Sequence, residues 1–293
     1  MNSSQTPKIL LVGLPSTGKT SFLAALRHYI GAPIPNKKLK QYQLSTNDEY
    51  LHKIYLDWLG CKQPTRTSSN DGHKVDIELF LKHTDSEEKL ILNVPDVAGE
   101  TFMQQWELRI WTERYLRQVK ESDGLIIFIR PDTLVNLTLL HKIYDLTDAE
   151  DSGSDDSTIE PWSPRKATTQ VILIELIQFH LSHFTRSPMP IALVISAWEK
   201  EEERKLTPAQ WLEKDMPLLS QFLLANQEKL TNNIYGISAQ GGDFEEPEER
   251  DRLQELSEEA DRIKVQVGSE KPSNDITEPI QWLLSTWKNQ VTQ

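Results

Sequence analysis

The sequence is nearly free of cysteine, because Cys61 is the only one in 293 residues. One cysteine cannot form an intramolecular disulfide or a cysteine-based metal cluster, and it is compatible with a reducing compartment. Long apolar runs are lacking as well, since none approaches the roughly 18 residues of a membrane-spanning helix. The sequence shows neither a secretory leader nor a prenylation cysteine near its last residue. We therefore expect a cytoplasmic protein without a membrane anchor.

Basic residues are scarce relative to acidic ones. The chain has 32 Lys and Arg against 44 Asp and Glu, which gives a formal net charge of −12 at pH 7. Binding of nucleic acid through a general protein surface relies on Lys and Arg that neutralise phosphates. The charge balance therefore argues against nucleic acid as a partner and favours another protein.

What the sequence does have is an alternation of short apolar runs with helical patterns, which predicts a doubly wound α/β sheet. The apolar runs that suit buried parallel strands are Ile9 to Val12, Leu90 to Val94, Leu125 to Ile129, Ile191 to Ile195 and Ile234 to Ile237. The helical stretches are Thr20 to Ile30, Asp48 to Leu59, Thr101 to Val119, Thr168 to Phe184, Pro208 to Leu230 and Glu278 to Gln290.

One further segment, Val75 to Leu79, alternates apolar and polar residues. This pattern is typical of a strand with one wet face, and it predicts an antiparallel edge strand in a hairpin with Leu90 to Val94. The expected architecture is a mostly parallel six-stranded sheet with one antiparallel edge strand and helices on both faces.

Three stretches interrupt the alternation, and we interpret them as insertions in a single domain that covers residues 1–293. Residues 31–70 carry the second predicted helix and the segment that follows it. Residues 147–165 are rich in Asp, Glu, Ser and Gly, a composition typical of a flexible surface loop. Residues 243–274 form a second acidic insertion before the last helix.

The first motif with chemical content is Gly13 to Thr20, which reads GLPSTGKT between a predicted strand and a predicted helix, as the GxxxxGK(S/T) pattern requires. Its glycines let backbone N–H groups turn onto phosphate oxygens, and the helix N-terminus adds favourable electrostatics. We expect Lys19 to reach the β- and γ-phosphates and the Thr20 hydroxyl to ligate Mg²⁺. The predicted nucleotide contacts here are Gly13, Ser16, Thr17, Gly18, Lys19, Thr20 and Ser21. The loop alone does not separate GTPases from ATPases or small-molecule kinases.

A second motif, the DxxG pattern from Asp96 to Gly99, follows the predicted strand Leu90 to Val94. Asp96 would hold Mg²⁺ through a water, and the Gly99 N–H would meet a γ-phosphate oxygen. A switch GTPase also needs a threonine that closes over Mg²⁺ and the γ-phosphate. Thr65 and Thr67 are the candidates, and we prefer Thr67 because it lies nearer the following strand.

Base recognition is predicted from two segments that follow later strands. GTPases of the Ras type use NKxD and a Ser-Ala loop, and the corresponding segments here read SAWE at 196–199 and SA at 238–239. Glu199 is able to pair its carboxylate with the N1 and N2 donors of guanine, while Ala197 or Trp198 would have to supply the stacking surface. We favour guanine over adenine on this basis. The predicted base contacts are Trp198, Glu199, Ser238 and Ala239.

Taken in order, these motifs resemble the translation-factor-related (TRAFAC) class of P-loop GTPases. More narrowly, the chain resembles the bacterial double-GTPase family in the strings DVAGE at 96–100, SAWE at 196–199, YGISAQGG at 235–242 and DITEPIQWL at 275–283. The resemblance implies a Ras-like P-loop GTPase fold with GTP or GDP and Mg²⁺ as cofactors. It also implies a bacterial cytoplasmic switch that acts through protein partners in a defence or conflict system.

One residue departs from the usual pattern. Many Ras-like proteins place a water-orienting Gln after DxxG, whereas this chain has Glu100, whose charge is unfavourable beside a γ-phosphate unless it is protonated or turned away. We therefore expect slow hydrolysis without a partner, and Gln104 or Gln105 is a candidate substitute. The residues expected to act in catalysis are Lys19, Thr67, Gly99 and Glu100. Two other functions stay open, a nucleotide-dependent scaffold with negligible catalysis and a P-loop ATPase or kinase.

Overall fold

The apolar runs and helical patterns fold into layers around one sheet, and a computed structural model describes residues 6–64, 76–95, 100–136 and 163–291. The strands are β1 (Lys8–Gly13), β2 (Leu39–Gln43), β3 (Ile77–His83), β4 (Lys89–Val94), β5 (Gly124–Ile129), β6 (Met189–Ser196), β7 (Leu230–Ser238) and β8 (Lys264–Val267). The α-helices are α1 (Lys19–Gly31), α2 (Asp48–Leu59), α3 (Glu100–Leu108), α4 (Glu113–Glu121), α5 (Thr169–His183), α6 (Pro208–Asp215), α7 (Pro217–Ala225), α8 (Pro247–Gln254) and α9 (Glu278–Val291). Short 3₁₀ helices lie at Pro131–Thr133, Pro164–Lys166, Trp198–Arg204 and Glu259–Arg262.

The eight strands follow the order β2-β3-β4-β1-β5-β6-β7-β8. Strands β4, β1, β5, β6 and β7 are parallel neighbours. Strands β2, β3 and β8 join the sheet in antiparallel pairs. Because parallel strands end at the same edge, the loops after β1, β5, β6 and β7 meet there, where ligands bind in open α/β sheets.

The core lies on both faces of the sheet. Successive residues of β1 point to opposite faces, so that Ile9 and Leu11 join one apolar cluster while Leu10 and Val12 join the other. Helices α1, α2 and α9 cover the first cluster, and α3 to α7 cover the second. Every residue of β5 and β6 is buried, which explains their continuous apolar sequences.

The predicted α/β class with a mostly parallel sheet is confirmed, but the count of six strands is wrong. Within the described residues the sheet has eight strands, and the two additions are β2 and β8. Both are short and polar, with one buried residue each, Leu39 and Val265, so an apolar-run criterion does not detect them. The strand predicted at the edge is β3, and β2 pairs with its outer side. The prediction of a single antiparallel edge strand is therefore wrong too, because β2, β3 and β8 all join the sheet in antiparallel pairs.

Two helices predicted as continuous are broken. The stretch Thr101 to Val119 divides into α3 and α4 at Arg109, which has a φ of 56°. The stretch Pro208 to Leu230 divides into α6 and α7 at Met216, because the residue before Pro217 is disfavoured in the helical region and adopts φ −134° and ψ 56°. Leu230 already belongs to β7.

The three predicted insertions differ in what the structure describes. Residues 31–64 contain β2 and α2, and α2 has the predicted bounds, Asp48–Leu59. Of the acidic stretch 147–165, residues 147–162 lie outside the described residues. Residues 243–274 contain α8, a 3₁₀ helix and β8. The extent of the domain, 1–293, stays a prediction. No helix in the described ranges has the length and apolarity that a membrane span demands.

Candidate nucleotide-binding site

The loop between β1 and α1 adopts a conformation that depends on its glycines. Gly18 has a φ of 86°, and a Cβ there would lie 3.0 Å from the side chain of Ser196. A Cβ on Gly13 would come within 2.8 Å of Thr17 Oγ1 and 2.9 Å of Phe128 Cβ. A side chain at Gly13 or Gly18 would therefore push the loop away from the end of the sheet.

The Lys19 side chain lies inside this loop and is only 3% exposed. Its Nζ donates hydrogen bonds to the carbonyl oxygens of Gly13 and Leu14, both at 2.8 Å. The Thr17 hydroxyl donates to the Leu14 oxygen at 2.8 Å, which closes the loop around the ammonium group. The site thus combines a buried cation with the N-terminus of α1, an arrangement suited to phosphate.

The other predicted residues of the loop lie around this cation. Ser16 is exposed, and its φ of 61° places it in the left-handed region. Thr20 and Ser21 occupy the first turn of α1 and are partly exposed. Ser21 also lines the cleft that opens beside Gly18.

Ser196 connects the phosphate loop to the neighbouring strands. Its hydroxyl is within donating distance of the carbonyl oxygens of Thr17, at 2.9 Å, and of Ile129, at 3.2 Å. In the sequence, Ser196 stands out only because it replaces the Asn of the NKxD motif. In the structure, its shorter side chain still connects the end of β6 to the phosphate loop. It stabilises the relative position of the phosphate and base segments.

A cleft opens beside Gly18 at the N-terminus of α1. Six parts of the chain line it. They are the start of α1, Gln63 after α2, the end of β5, the end of β6 with the residues after it, the end of β7 with the residues after it, and residues 242–243. Its lining residues are Gly18, Ser21, Phe22, Gln63, Phe128, Arg130, Ser196, Ala197, Glu199, Lys200, Ile237, Ala239, Gln240, Gly242 and Asp243. Gly18 and Ser21 of the predicted phosphate segment therefore line the same cleft as Glu199 and Ala239 of the predicted base segments.

Two polar side-chain atoms of the cleft residues are buried without a hydrogen-bond partner among the described residues, Oε2 of Glu199 and Nε2 of Gln240. Burial raises the pKa of Glu199 above its usual value of 4.5, although a hydrogen bond from Ser238 opposes the shift. An unpaired buried polar atom destabilises the free protein. The pair offers one acceptor and one donor to a ligand in the cleft.

Trp198 does not lie where base stacking requires it. Its ring is 5% exposed and belongs to the second apolar cluster, where it packs so closely on Gly236 that a Cβ there would overlap it. The prediction that Trp198 stacks on the base is therefore corrected, because the ring is buried in the core. Ala197, with a φ of 51°, and Lys200 form the cleft wall on either side of Trp198 and Glu199.

The predicted Ser-Ala loop lies at the cleft. Ala239 lines the cleft, whereas the Ser238 hydroxyl is buried and accepts a hydrogen bond from the Gly241 N–H at 3.0 Å. Ser238 thus shapes the turn after β7. Ala239 and Gln240 present the turn to the cleft.

Several site predictions fall on residues that the structure leaves undescribed. Thr67, Asp96 and Gly99 lie outside the described residues, as does the alternative Thr65. Glu100 is described only as the first residue of the α3 backbone. Within the described ranges, no group of three or more His, Cys, Asp or Glu side chains is arranged to hold a metal ion.

The two glutamines considered as substitutes on α3 have different environments. Gln104 is exposed, and Gln105 is 3% exposed with neither amide atom in a hydrogen bond to the described residues. The simpler explanation of both residues is that they are ordinary exposed positions of the helix. This explanation holds for Gln104 but not for Gln105, which is buried.

Five polar residues of the cleft were not predicted from the sequence: Gln63, Arg130, Lys200, Gln240 and Asp243. Gln63 comes from the insertion, and no motif marks it. Arg130 follows β5, where its Nε bonds Asp132 at 2.6 Å, and Lys200 bonds the same carboxylate at 2.9 Å. Gln240 directly follows the Ser-Ala pair, which is the one signal that would have found it.

With this geometry established, comparison with known proteins identifies the family. The model of the Double-GTPase 1 family matches residues 10–283. The chain belongs to this family. Comparison with curated proteins gives no significant match.

Among solved structures, similar chains have low sequence identity to this one. One is Methanosarcina barkeri Roco2 RocCORdC bound to GDP, with a TM-score of 0.33 and 12% identity over 86% of this chain and 50% of that chain. Another is an Aquifex aeolicus Era variant bound to GDP.AlF4⁻, with a TM-score of 0.34 and 16% identity over 87% and 58% of the two chains. A third is the signal recognition particle receptor SRb-GTP/SRX complex from Chaetomium thermophilum, with a TM-score of 0.36 and 13% identity over 80% and 92%. The chain thus spans about half the length of the Roco structure.

Proposed function

We propose that the protein binds GTP and GDP with Mg²⁺ and hydrolyses GTP slowly, as a molecular switch that acts through protein partners. The observation that carries the proposal is the cleft in which the phosphate loop and Glu199 line the same space. Membership of a GTPase family supports the choice of a guanine nucleotide.

The base end of the cleft favours guanine for a chemical reason. An ionised Glu199 accepts hydrogen bonds, and guanine presents donors at N1 and N2. Adenine has an acceptor at N1, which would face the carboxylate lone pairs and leave the charge unpaired. A buried charge without a partner is strongly unfavourable, so the carboxylate discriminates against adenine.

The phosphate end uses groups that are independent of the base. The α1 N-terminus and Lys19 would hold the β- and γ-phosphates, and the Gly99 N–H would contact the γ-phosphate. The hydroxyls of Thr20 and Thr67 and the carboxylate of Asp96 are hard oxygen donors, which Mg²⁺ prefers. Magnesium bound there supplies positive charge that offsets the charge of the phosphates.

A turnover assay tests the enzymatic part of the proposal. Purified protein should release phosphate from GTP over several turnovers with Mg²⁺, and chelation of Mg²⁺ should abolish the release. The Lys19→Ala variant should be inactive, and Lys8→Ala, which removes a partly exposed lysine paired with Glu121, should match the unaltered chain. Release from ATP at an equal rate would contradict the proposal.

The second candidate, a nucleotide-dependent scaffold, rests on Glu100 in the position where a water-orienting Gln is usual. It predicts tight GTP binding with no phosphate release beyond one turnover. The same assay, run with stoichiometric and with excess GTP, separates the two functions.

A further inference from the structure

A tryptophan from the insertion holds the base-recognition loop. Trp58, in the last turn of α2, is fully buried, and its Nε1 donates a hydrogen bond to the Ala239 carbonyl oxygen at 2.8 Å. The two residues are 181 positions apart in the chain. Trp58 does not line the cleft, whereas Ala239 and Gln240 do.

Arg262 fixes Trp58 in turn. Its guanidinium is 4% exposed, and Nη1 donates to the carbonyl oxygens of Trp58 at 3.0 Å and Leu59 at 3.3 Å. Its Nε donates to the Leu253 oxygen at 3.3 Å. These carbonyls belong to the last turns of α2 and α8, so one buried cation caps two helices at their negative ends. Its Cζ also lies 5.2 Å from the centre of the Trp58 ring.

The segment after β7 is also held at Gly241, two residues beyond Ala239. Arg252 Nη2 donates to the Gly241 oxygen at 2.9 Å. Gly241 has a φ of 78°, and a Cβ on it would lie 2.8 Å from the Arg262 oxygen. The loop is therefore held between α2, α8 and the 3₁₀ helix that ends at Arg262, and its peptide groups have fixed directions.

The direction of one peptide group matters for the ligand. The peptide between Ala239 and Gln240 is trans, since Ser187-Pro188 is the cis bond of the described chain, and the C=O and N–H of a trans peptide point in opposite directions. Because Trp58 holds the Ala239 C=O outside the cleft, the Gln240 N–H is directed to the opposite side of the loop. We propose that Trp58 is a positioning residue for guanine specificity, which aims the Gln240 N–H at the O6 of the base.

This inference rests on the proposed function and adds a second determinant to it. Glu199 would recognise the N1 and N2 donors of guanine, and the peptide held by Trp58 would recognise the O6 acceptor. Adenine has an amino group at C6, a donor that the Gln240 N–H would oppose. Loss of the Trp58 contact should therefore weaken the binding only of bases that carry O6.

The test is calorimetric titration of the Trp58→Phe variant with three nucleoside diphosphates in the presence of Mg²⁺. Phenylalanine preserves an aromatic ring beneath Arg262 and removes only the N–H donor and part of the ring area. GDP and IDP both carry O6 and the N1 proton, whereas the diphosphate of 2-aminopurine riboside lacks both, so the variant is compared with the unaltered protein on each ligand separately. We expect binding of GDP and IDP to weaken about 2- to 10-fold, as for the loss of one neutral hydrogen bond, with no change for the 2-aminopurine analogue.

Trp106→Phe is the matched control. Trp106 Nε1 donates to the Pro164 carbonyl oxygen at 2.7 Å, so this variant loses the same kind of bond away from the cleft. It should lower the thermal stability by a similar amount and leave all three affinities unchanged. If Trp58→Phe does not fold, Arg262→Lys, whose single ammonium group cannot reproduce the guanidinium fork that holds Trp58 and Leu253 together, should give the same order of penalties among the three ligands.

Two results would overturn the inference. Unchanged GDP affinity in folded Trp58→Phe would show that the bond does not position the loop. Equal weakening for all three ligands would make Trp58 a general stabiliser of the cleft. Failure of the unaltered protein to bind GDP is a distinct outcome, since it would overturn the proposed function before any variant is compared.

Discussion

The phosphate end and the base end of the cleft are built in different ways. The phosphate end consists of one continuous segment, in which Lys19 is enclosed by its own loop through bonds to Gly13 and Leu14. The base end is assembled from separate segments, with Glu199 after β6, Ala239 after β7 and Gln63 after α2. The proposed phosphate binding would therefore depend on local backbone geometry, whereas the proposed base selection would depend on tertiary structure.

The largest effect is expected from Lys19→Ala, which breaks the phosphate end. The variant loses the buried cation and the bonds that close the loop. We expect GDP and ADP to lose affinity by a similar factor, on the order of 100-fold, because hydrogen bonds to charged groups contribute about 1.5–3 kcal/mol each. Equilibrium titration of both nucleotides measures the factor, and a loss confined to GDP would contradict the division between the two ends.

Glu199→Gln should break the base end alone. The amide has the same shape, but it replaces an ionic acceptor and places a donor beside those of guanine. We expect GDP to bind about 10- to 100-fold more weakly while the affinity for ADP changes less than about twofold. The melting temperature without nucleotide should not fall, because burial raises the pKa of Glu199 and its charge therefore opposes folding. Equal losses for both nucleotides would refute the base-specific role.

The same carboxyl should make the proposed guanine binding depend on pH. Glu199 must be ionised to accept hydrogen bonds from the base, and burial raises its pKa above 4.5. GDP affinity should therefore fall as the pH is lowered, and the fall should begin above the pH range of an ordinary carboxyl group. The affinity of Glu199→Gln should show no such fall over the same range. Parallel pH profiles for the two proteins would assign the effect to another group.

The smallest effect on binding is expected from Tyr115→Phe, which alters the core away from both ends. The Tyr115 hydroxyl lies 2.7 Å from His180 Nε2, and His180 Nδ1 lies 2.6 Å from the Leu176 oxygen. Burial lowers the pKa of His180 to about 4, so the ring is neutral and accepts from the tyrosine. Loss of the hydroxyl leaves a buried acceptor unpaired and should lower the free energy of unfolding by about 1–3 kcal/mol. Denaturant unfolding measures this change, and nucleotide affinity should stay unchanged.

The phosphate end could be predicted from the sequence because its signal is local. The glycines, Lys19 and Thr20 lie within eight consecutive residues of GLPSTGKT, and the structure places them between β1 and α1 as expected. The parallel strands were predictable for a similar reason, since complete burial on both faces requires a continuous apolar run.

The base end was harder to predict because its contacts join distant parts of the chain. The hydrogen bond from Trp58 to Ala239 joins residues 181 positions apart, and no sequence pattern around either residue indicates it. Gln63 lies in no motif. Trp198 was assigned to the cleft by its position beside Glu199, but a large aromatic ring is favoured in the core, and there it packs on Gly236. The strands β2 and β8 were missed because their residues are mostly polar.

The most direct measurement is a side-by-side titration of the unaltered protein with GDP and ADP in the presence of Mg²⁺. The two ligands share the phosphate end and differ at the base end, so their affinity ratio isolates the cleft wall that contains Glu199 and Ala239. We expect GDP to bind at least about tenfold more tightly than ADP, the equivalent of roughly 1.4 kcal/mol. Equal affinity, or tighter binding of ADP, would contradict it.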